Sequence, residues 1–162
     1  SIKDFQKQVS YIPQDIFLID GSLKENIAIG IDKEEIDLKK IYSAIKLSDL
    51  DGFIKKLPDN IDTLVGEKGS KISGGQKQRI SLARSLYHER KFIVMDEGTS
   101  ALDNKTEKIV INSLNKLKSS HTILMISHRM SSLKYCDKIF NIKDGNLTMF
   151  KNFNDLLKHQ AK

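Results

Sequence analysis

The chain has 162 residues, 39% of them hydrophobic and 30% charged, with a net charge of +6; this is enough apolar material for one domain with a core and too much for a disordered polypeptide. No apolar run nears the roughly 20 residues of a transmembrane helix, no secretion leader is evident, and a single cysteine, Cys136, excludes an internal disulfide framework and fits a reducing compartment. The lysines are scattered rather than blocked, so the positive charge reads as a solvated surface and no nucleic acid is expected as a partner.

Val9, Tyr11 and Ile12 read as a short strand that Pro13 stops. After a linker, Leu23–Gly30 reads as a short helix closed by Gly30. Helical spacing follows from Asp32 to Lys56: Ile36, Ile41, Ile45 and Leu47 fall near one face, and Leu50, Phe53, Ile54 and Leu57 form a second stretch. Pro58-Asp59-Asn60 breaks the pattern. A glycine-punctuated loop, Thr63–Lys71, leads to a helix that opens on Ser73-Gly74-Gly75-Gln76 and runs to about His88. Phe92–Met95 is a continuous apolar run ended by two acids, the pattern of a strand buried on both faces of a parallel sheet. A helix from about Asp103 to Lys118 separates it from a second buried strand, Ile123–Ile126. Strand, helix, strand over this length is a βαβ crossover. Cys136–Ile142 and Leu147–Phe150 flank Lys143-Asp144-Gly145-Asn146 as a hairpin, and a short helix from about Phe153 to Lys158 closes the chain. The expected fold class is α/β. Core sheet parts fall at residues 1–19 and 89–162, and a mostly helical insert at 20–88.

Open α/β sheets bind ligands at the carboxyl ends of their strands. Gln14 follows the first strand, Asp96-Glu97 the second and Ser127-His128 the third, so three strands deliver polar groups to one edge. Two acids after a buried strand suit nucleotide hydrolysis: Asp96 can hold Mg²⁺ through a coordinated water, and Glu97 can deprotonate an attacking water. Ser73 and Gln76 have the spacing of a capping box. That pair does not account for Gly74 and Gly75, because glycine costs roughly 1 kcal/mol against alanine within a helix. Bare N–H groups at a helix start favour an anion, so Ser73–Gln76 reads as a phosphate-contacting turn. It is not a P-loop. Gly69 and Gly74 have the spacing, but Gly75-Gln76 stands where Lys-Ser/Thr is required, and no G-x-x-x-x-G-K-[ST] occurs anywhere in the chain.

These motifs together resemble the nucleotide-binding domain of an ABC transporter of the exporter type. ISGGQKQR resembles the signature motif, FIVMDE the Walker B strand, SALD at Ser100–Asp103 the D-loop, and TLVGEKG at Thr63–Gly69 the X-loop. Gln14 matches the Q-loop glutamine and His128 the H-loop histidine. Ile72, where leucine is usual, and Gly98, where alanine or proline is common, depart mildly from the family pattern. The Walker A loop and the adenine-stacking aromatic would lie upstream of Ser1, which makes the chain roughly the last two-thirds of such a domain.

The resemblance implies a partial P-loop NTPase core, with a mostly parallel sheet and an inserted helical subdomain that docks on a transmembrane partner. It implies ATP and Mg²⁺ as ligands. Glu97, His128 and Gln14 would be catalytic, and Asp96 and Gln14 would lie on the metal. Ser73, Gly74, Gly75, Gln76 and Asp103 would contact nucleotide, and Asp103 is equally well placed to cap a helix. It also implies a head-to-tail pairing with a second such domain, at the cytoplasmic face of the cell membrane, with this part itself soluble and inactive alone. An ABC-type ATPase of DNA repair or chromosome organisation is the alternative; the insert lacks the sustained heptads of its coiled coils. The cargo is not legible in these residues.

Overall fold

The computed structural model describes residues 2–66, 72–98 and 102–160. It opens with α1 (Ile2–Gln8), which runs directly into β1 (Val9–Ile12). No apolar stripe predicts α1, because none of its residues is buried. A two-residue strand, β2 (Gly21–Ser22), leads into α2 (Leu23–Ile27), α3 (Leu38–Leu47) and α4 (Asp51–Ile54). Strand β3 (Leu64–Val65) returns antiparallel to β2, so the insert is helical with one small ladder at its base. Helix α2 ends at Ile27 rather than at Gly30; Gly30 instead turns the chain three residues later with φ +86°.

Then come α5 (Gly74–Tyr87), β4 (Phe92–Asp96), α6 (Asn104–Leu117), β5 (Thr122–Ile126) and a single turn, α7 (Met130–Leu133). The hairpin β6 (Ile139–Lys143) and β7 (Asn146–Phe150) precedes α8 (Phe153–Gln160). Asp144 and Gly145, at φ +51° and +75°, make the tight turn between its strands.

The main sheet is parallel with the order β1-β4-β5, which realises the βαβ expectation. Its register sets Ile12 beside Met95 and Met95 beside Met125, so these side chains share one face. That face packs on the helices: Ile12, Ile93 and Met95 are fully buried with Ile80 and Leu82 of α5 and Leu117 of α6. Ser10 Oγ also meets Ser85 Oγ of α5 at 2.5 Å. The same core runs on through Leu23, Ile27, Ile41 and Leu50 of the insert.

The opposite sheet face carries Tyr11, Val94 and Leu124 in one row. Leu124 and Ile126 are 46% and 47% exposed. Strand β5 is therefore not buried on both faces, as its apolar run suggests. Among the described residues it pairs on one side only, and no described element covers its outer face.

The link between sheet and insert is held by a buried amide. Asn26 Oδ1 accepts from the Ile19 N–H at 3.0 Å, while Nδ2 donates to the Ile19 and Ser22 carbonyls at 3.0 and 3.1 Å. Arg84 Nε of α5 donates to the Asn26 carbonyl at 2.6 Å. With its polar atoms thus paired, the fully buried asparagine avoids the cost of unsatisfied buried groups.

Candidate functional site

The site begins where β4 ends. Glu97 has φ +46°, a left-handed conformation uncommon outside glycine, while its N–H still donates to the Ile126 carbonyl of β5 at 3.0 Å. The chain thus leaves the sheet by turning one carboxylate aside without losing the ladder. That turn sets Glu97 Oε1 3.2 Å from His128 Nε2, on the connection that follows β5. The His128 side chain is 84% exposed and that of Glu97 31% exposed, so the pair faces solvent. Backbone strain of this kind gathers at functional sites.

Asp96, one residue earlier, stays in register, and its Oδ2 accepts from the Tyr11 hydroxyl at 2.8 Å. This hydrogen bond to a carboxylate raises the Tyr11 pKa above its ordinary value. Tyr11 reads in the sequence as an apolar strand residue, and only the β1–β4 register reveals its place beside Asp96. Gln14 lies exposed two residues beyond the end of β1, at the same sheet edge. The three strands thus bring Gln14, Asp96, Glu97 and His128 to one edge.

The second group lies around the start of α5. Ser73 Oγ accepts from the Gln76 N–H at 3.4 Å, and Gln76 Oε1 accepts from the Ser73 N–H at 2.8 Å, completing the expected capping box. The two glycines separate in role. A Cβ on Gly75 would stand 1.9 Å from Thr106 Cγ2, so its absence lets α5 close on α6. A Cβ on Gly74 would meet nothing nearer than Leu102 Cδ2 at 3.7 Å, an ordinary contact. Packing therefore explains Gly75, contrary to the sequence argument, and leaves Gly74 as the exposed, unhindered residue of the turn.

Asp103 caps α6: one oxygen accepts from the Lys105 and Thr106 N–H groups at 2.9 and 3.0 Å, the other from the Thr106 hydroxyl at 2.7 Å. The Thr106 hydroxyl bond, with the backbone bonds, lowers its pKa. The capping role of Asp103 is thus in place. Ser100 and Ala101 of the D-loop segment, residues 67–69 of the X-loop segment and Lys71 lie outside the described residues. Gly98 stands against Met95, whose Cγ an added Cβ would meet at 2.4 Å. The glycine accommodates a buried methionine there.

Asp96 and Glu97 offer hard oxygen donors, and the partner of Asp96 is a neutral hydroxyl rather than a cation. That donor chemistry suits Mg²⁺, which takes one or two carboxylates and completes its shell with water and phosphate oxygens. Among the described residues no cluster of three metal-ligating side chains occurs. Among them, too, no helix is long and apolar enough to cross a membrane.

Residues 1–100 match the family model described as ABC transporter. The chain is 35% identical over 158 residues to the ATP-dependent lipid A-core flippase of Ralstonia nicotianae, covering 97% of this chain and 27% of the relative. It is 38% identical over 159 residues to the ABC multidrug transporter MDR1 of Cryptococcus neoformans, covering 97% of this chain and 11% of the relative. A solved structure of a bacterial Atm1-family ABC exporter with ATP bound superposes with a TM-score of 0.82 at 33% identity, over 97% of this chain and 27% of that one. The chain thus spans about a quarter or less of the proteins it matches. These relatives are exporters and flippases, and nothing among them supports the DNA-repair alternative.

Proposed function

The chain belongs to the ABC transporter family, and we propose that it forms the signature-bearing, catalytic-carboxylate part of an exporter's ATP-binding domain, which couples ATP hydrolysis to export or lipid flipping. The observation that carries this reading is the Glu97 turn. A carboxylate held in the left-handed region at the end of a parallel strand lies 3.2 Å from an exposed histidine, beside a second carboxylate. Residues 1–19 and 89–162 serve as the core and 20–88 as the helical subdomain that faces the transmembrane partner.

In this reading Glu97 is the base that orients and deprotonates the attacking water. His128, exposed and 3.2 Å away, contacts the terminal phosphate and keeps the carboxylate aimed at the same point. Gln14 reaches the site from the end of β1. Asp96 would hold Mg²⁺ through a coordinated water, and the bound ion would neutralise phosphate charge. Ser73, Gly74 and Gln76 form the turn that approaches a nucleotide held by a second copy of the domain, with Gly75 closing α5 on α6 and Asp103 near the junction of the two copies. The active protein is then a head-to-tail pair at the cytoplasmic face of a membrane, joined to membrane-spanning segments.

Glu97→Gln in the full transporter tests this. The substitution keeps shape and hydrogen bonding and removes the base, so turnover should fall by about 10²–10⁴ while ATP binding survives and the ATP-bound pair accumulates. Turnover near that of the unaltered protein would place the base elsewhere.

A further inference from the structure

Glu107 is a charged side chain with only 4% of its surface exposed. It lies on α6, one turn beyond the Asp103 cap, and the sheet-edge chemistry does not use it. A buried carboxylate needs hydrogen bonds or opposite charge around it. Here they come from the segment that carries His128. Ser131 Oγ donates to its two oxygens at 3.1 and 3.0 Å, and Ser132 Oγ donates to Oε1 at 2.9 Å. Arg129 Nη1 lies 3.4 Å from Oε2. The web reaches further back along the chain: Ser127 Oγ donates to Ser132 Oγ at 3.3 Å and accepts from the Arg129 N–H at 3.0 Å.

Both neighbours of His128 are therefore tied to Glu107, Arg129 directly and Ser127 through one serine. His128 itself projects into solvent from a short connection between β5 and α7. A side chain that exposed gains little from packing, so its backbone must be fixed from behind.

We propose that Glu107 is a positioning residue for His128: it clamps residues 127–132 to α6 and so sets where the imidazole stands relative to Glu97. This rests on the role of His128 in the proposed function. The clamp explains why a carboxylate is tolerated on the buried face of α6 beside Val110, Ile111, Leu114 and Leu117.

The test is a double-mutant cycle in the full transporter. Glu107→Gln keeps an oxygen for the serines but abolishes the charge facing Arg129, and the Ser131→Ala, Ser132→Ala double variant removes the hydroxyls while leaving Glu107 in place. Each should lower kcat, by up to about 10²-fold as for a displaced catalytic group, with KM for ATP unchanged. In a His128→Ala background neither should slow turnover further. Effects that multiply with that of His128→Ala, or a rise in KM at constant kcat, would overturn the positioning role. His128→Ala with full turnover would instead remove His128 from the chemistry, and the proposal with it. If Glu107→Gln fails to fold, the serine double variant decides the same question.

Discussion

Gly75→Ala and Gly74→Ala differ by one position and should differ in sign. At position 75 the new methyl group would lie 1.9 Å from Thr106 Cγ2, about 1.5 Å closer than ordinary contact. Relief requires either α5 and α6 to part or Thr106 to leave its rotamer, which would break the 2.7 Å bond from its hydroxyl to Asp103. Overpacking of this kind costs about 1–3 kcal/mol. The gain from replacing glycine in a helix is at most about 1 kcal/mol and is smaller in the first turn. The net loss should be about 1–2 kcal/mol, which in a domain of this size lowers Tm by about 2–8 °C. Gly74→Ala, with 3.7 Å of room, should leave stability unchanged or slightly raised. Adding Thr106→Ser to Gly75→Ala removes the obstructing methyl group, keeps the hydroxyl on Asp103 and should restore most of the loss. Thermal denaturation of the complete nucleotide-binding domain reads all three. Equal stability of the two alanine variants, or no rescue by Thr106→Ser, would refute the packing explanation of Gly75.

Glu25 accepts from the Ser22 N–H at 2.9 Å and pairs with Lys33 at 2.8 Å, contacts that, Lys33 first, lower its pKa from near 4.5 to about 2. Because the folded pKa is the lower one, this carboxylate stabilises the fold above pH 4.5 and loses that contribution as pH falls toward 2. Glu25→Gln should therefore be less stable than the parent at pH 7 in chemical denaturation, with the difference vanishing near pH 2; a constant difference across that range would contradict the assignment. The isolated chain should self-associate in analytical ultracentrifugation. Apolar Leu124 and Ile126 line an uncovered sheet face, and Phe140, Ile142, Leu147 and Met149 are exposed together on one face of the hairpin; a monodisperse monomer would count against this.

The strands were legible because their apolar runs end in polar residues that no core would accept. FIVM before Asp96-Glu97 and ILMI before Ser127-His128 locate the parallel strands and the edge at which the candidate site residues gather. What the sequence conceals is which face of a strand is covered. The run in β5 reports apolar side chains on both faces, yet exposure depends on neighbours that local pattern does not name. Tyr11 illustrates the same limit: its hydroxyl finds Asp96 across a strand pairing separated by 85 residues. The Gly74-Gly75 pair shows a third. Both glycines break helix propensity equally, and only the position of Thr106, some thirty residues away in sequence, tells the packing glycine from the exposed one. Helix α1 lacks a buried face altogether and so has no periodicity to read.

In the proposed function, Gln14, Asp96, Glu97 and His128 supply hydrolytic groups, while the loop that cradles the phosphates is not among these 162 residues. No G-x-x-x-x-G-K-[ST] is present. The start of a single helix contributes only about 0.3–1 kcal/mol toward an anion, against the roughly 8 kcal/mol of micromolar affinity. Calorimetric titration of the chain with Mg·ATP, with phosphate release measured beside the complete domain, separates the two cases. Binding should be no tighter than millimolar and turnover absent for the chain alone, with both present in the complete domain. Micromolar binding or turnover by the chain alone would contradict it.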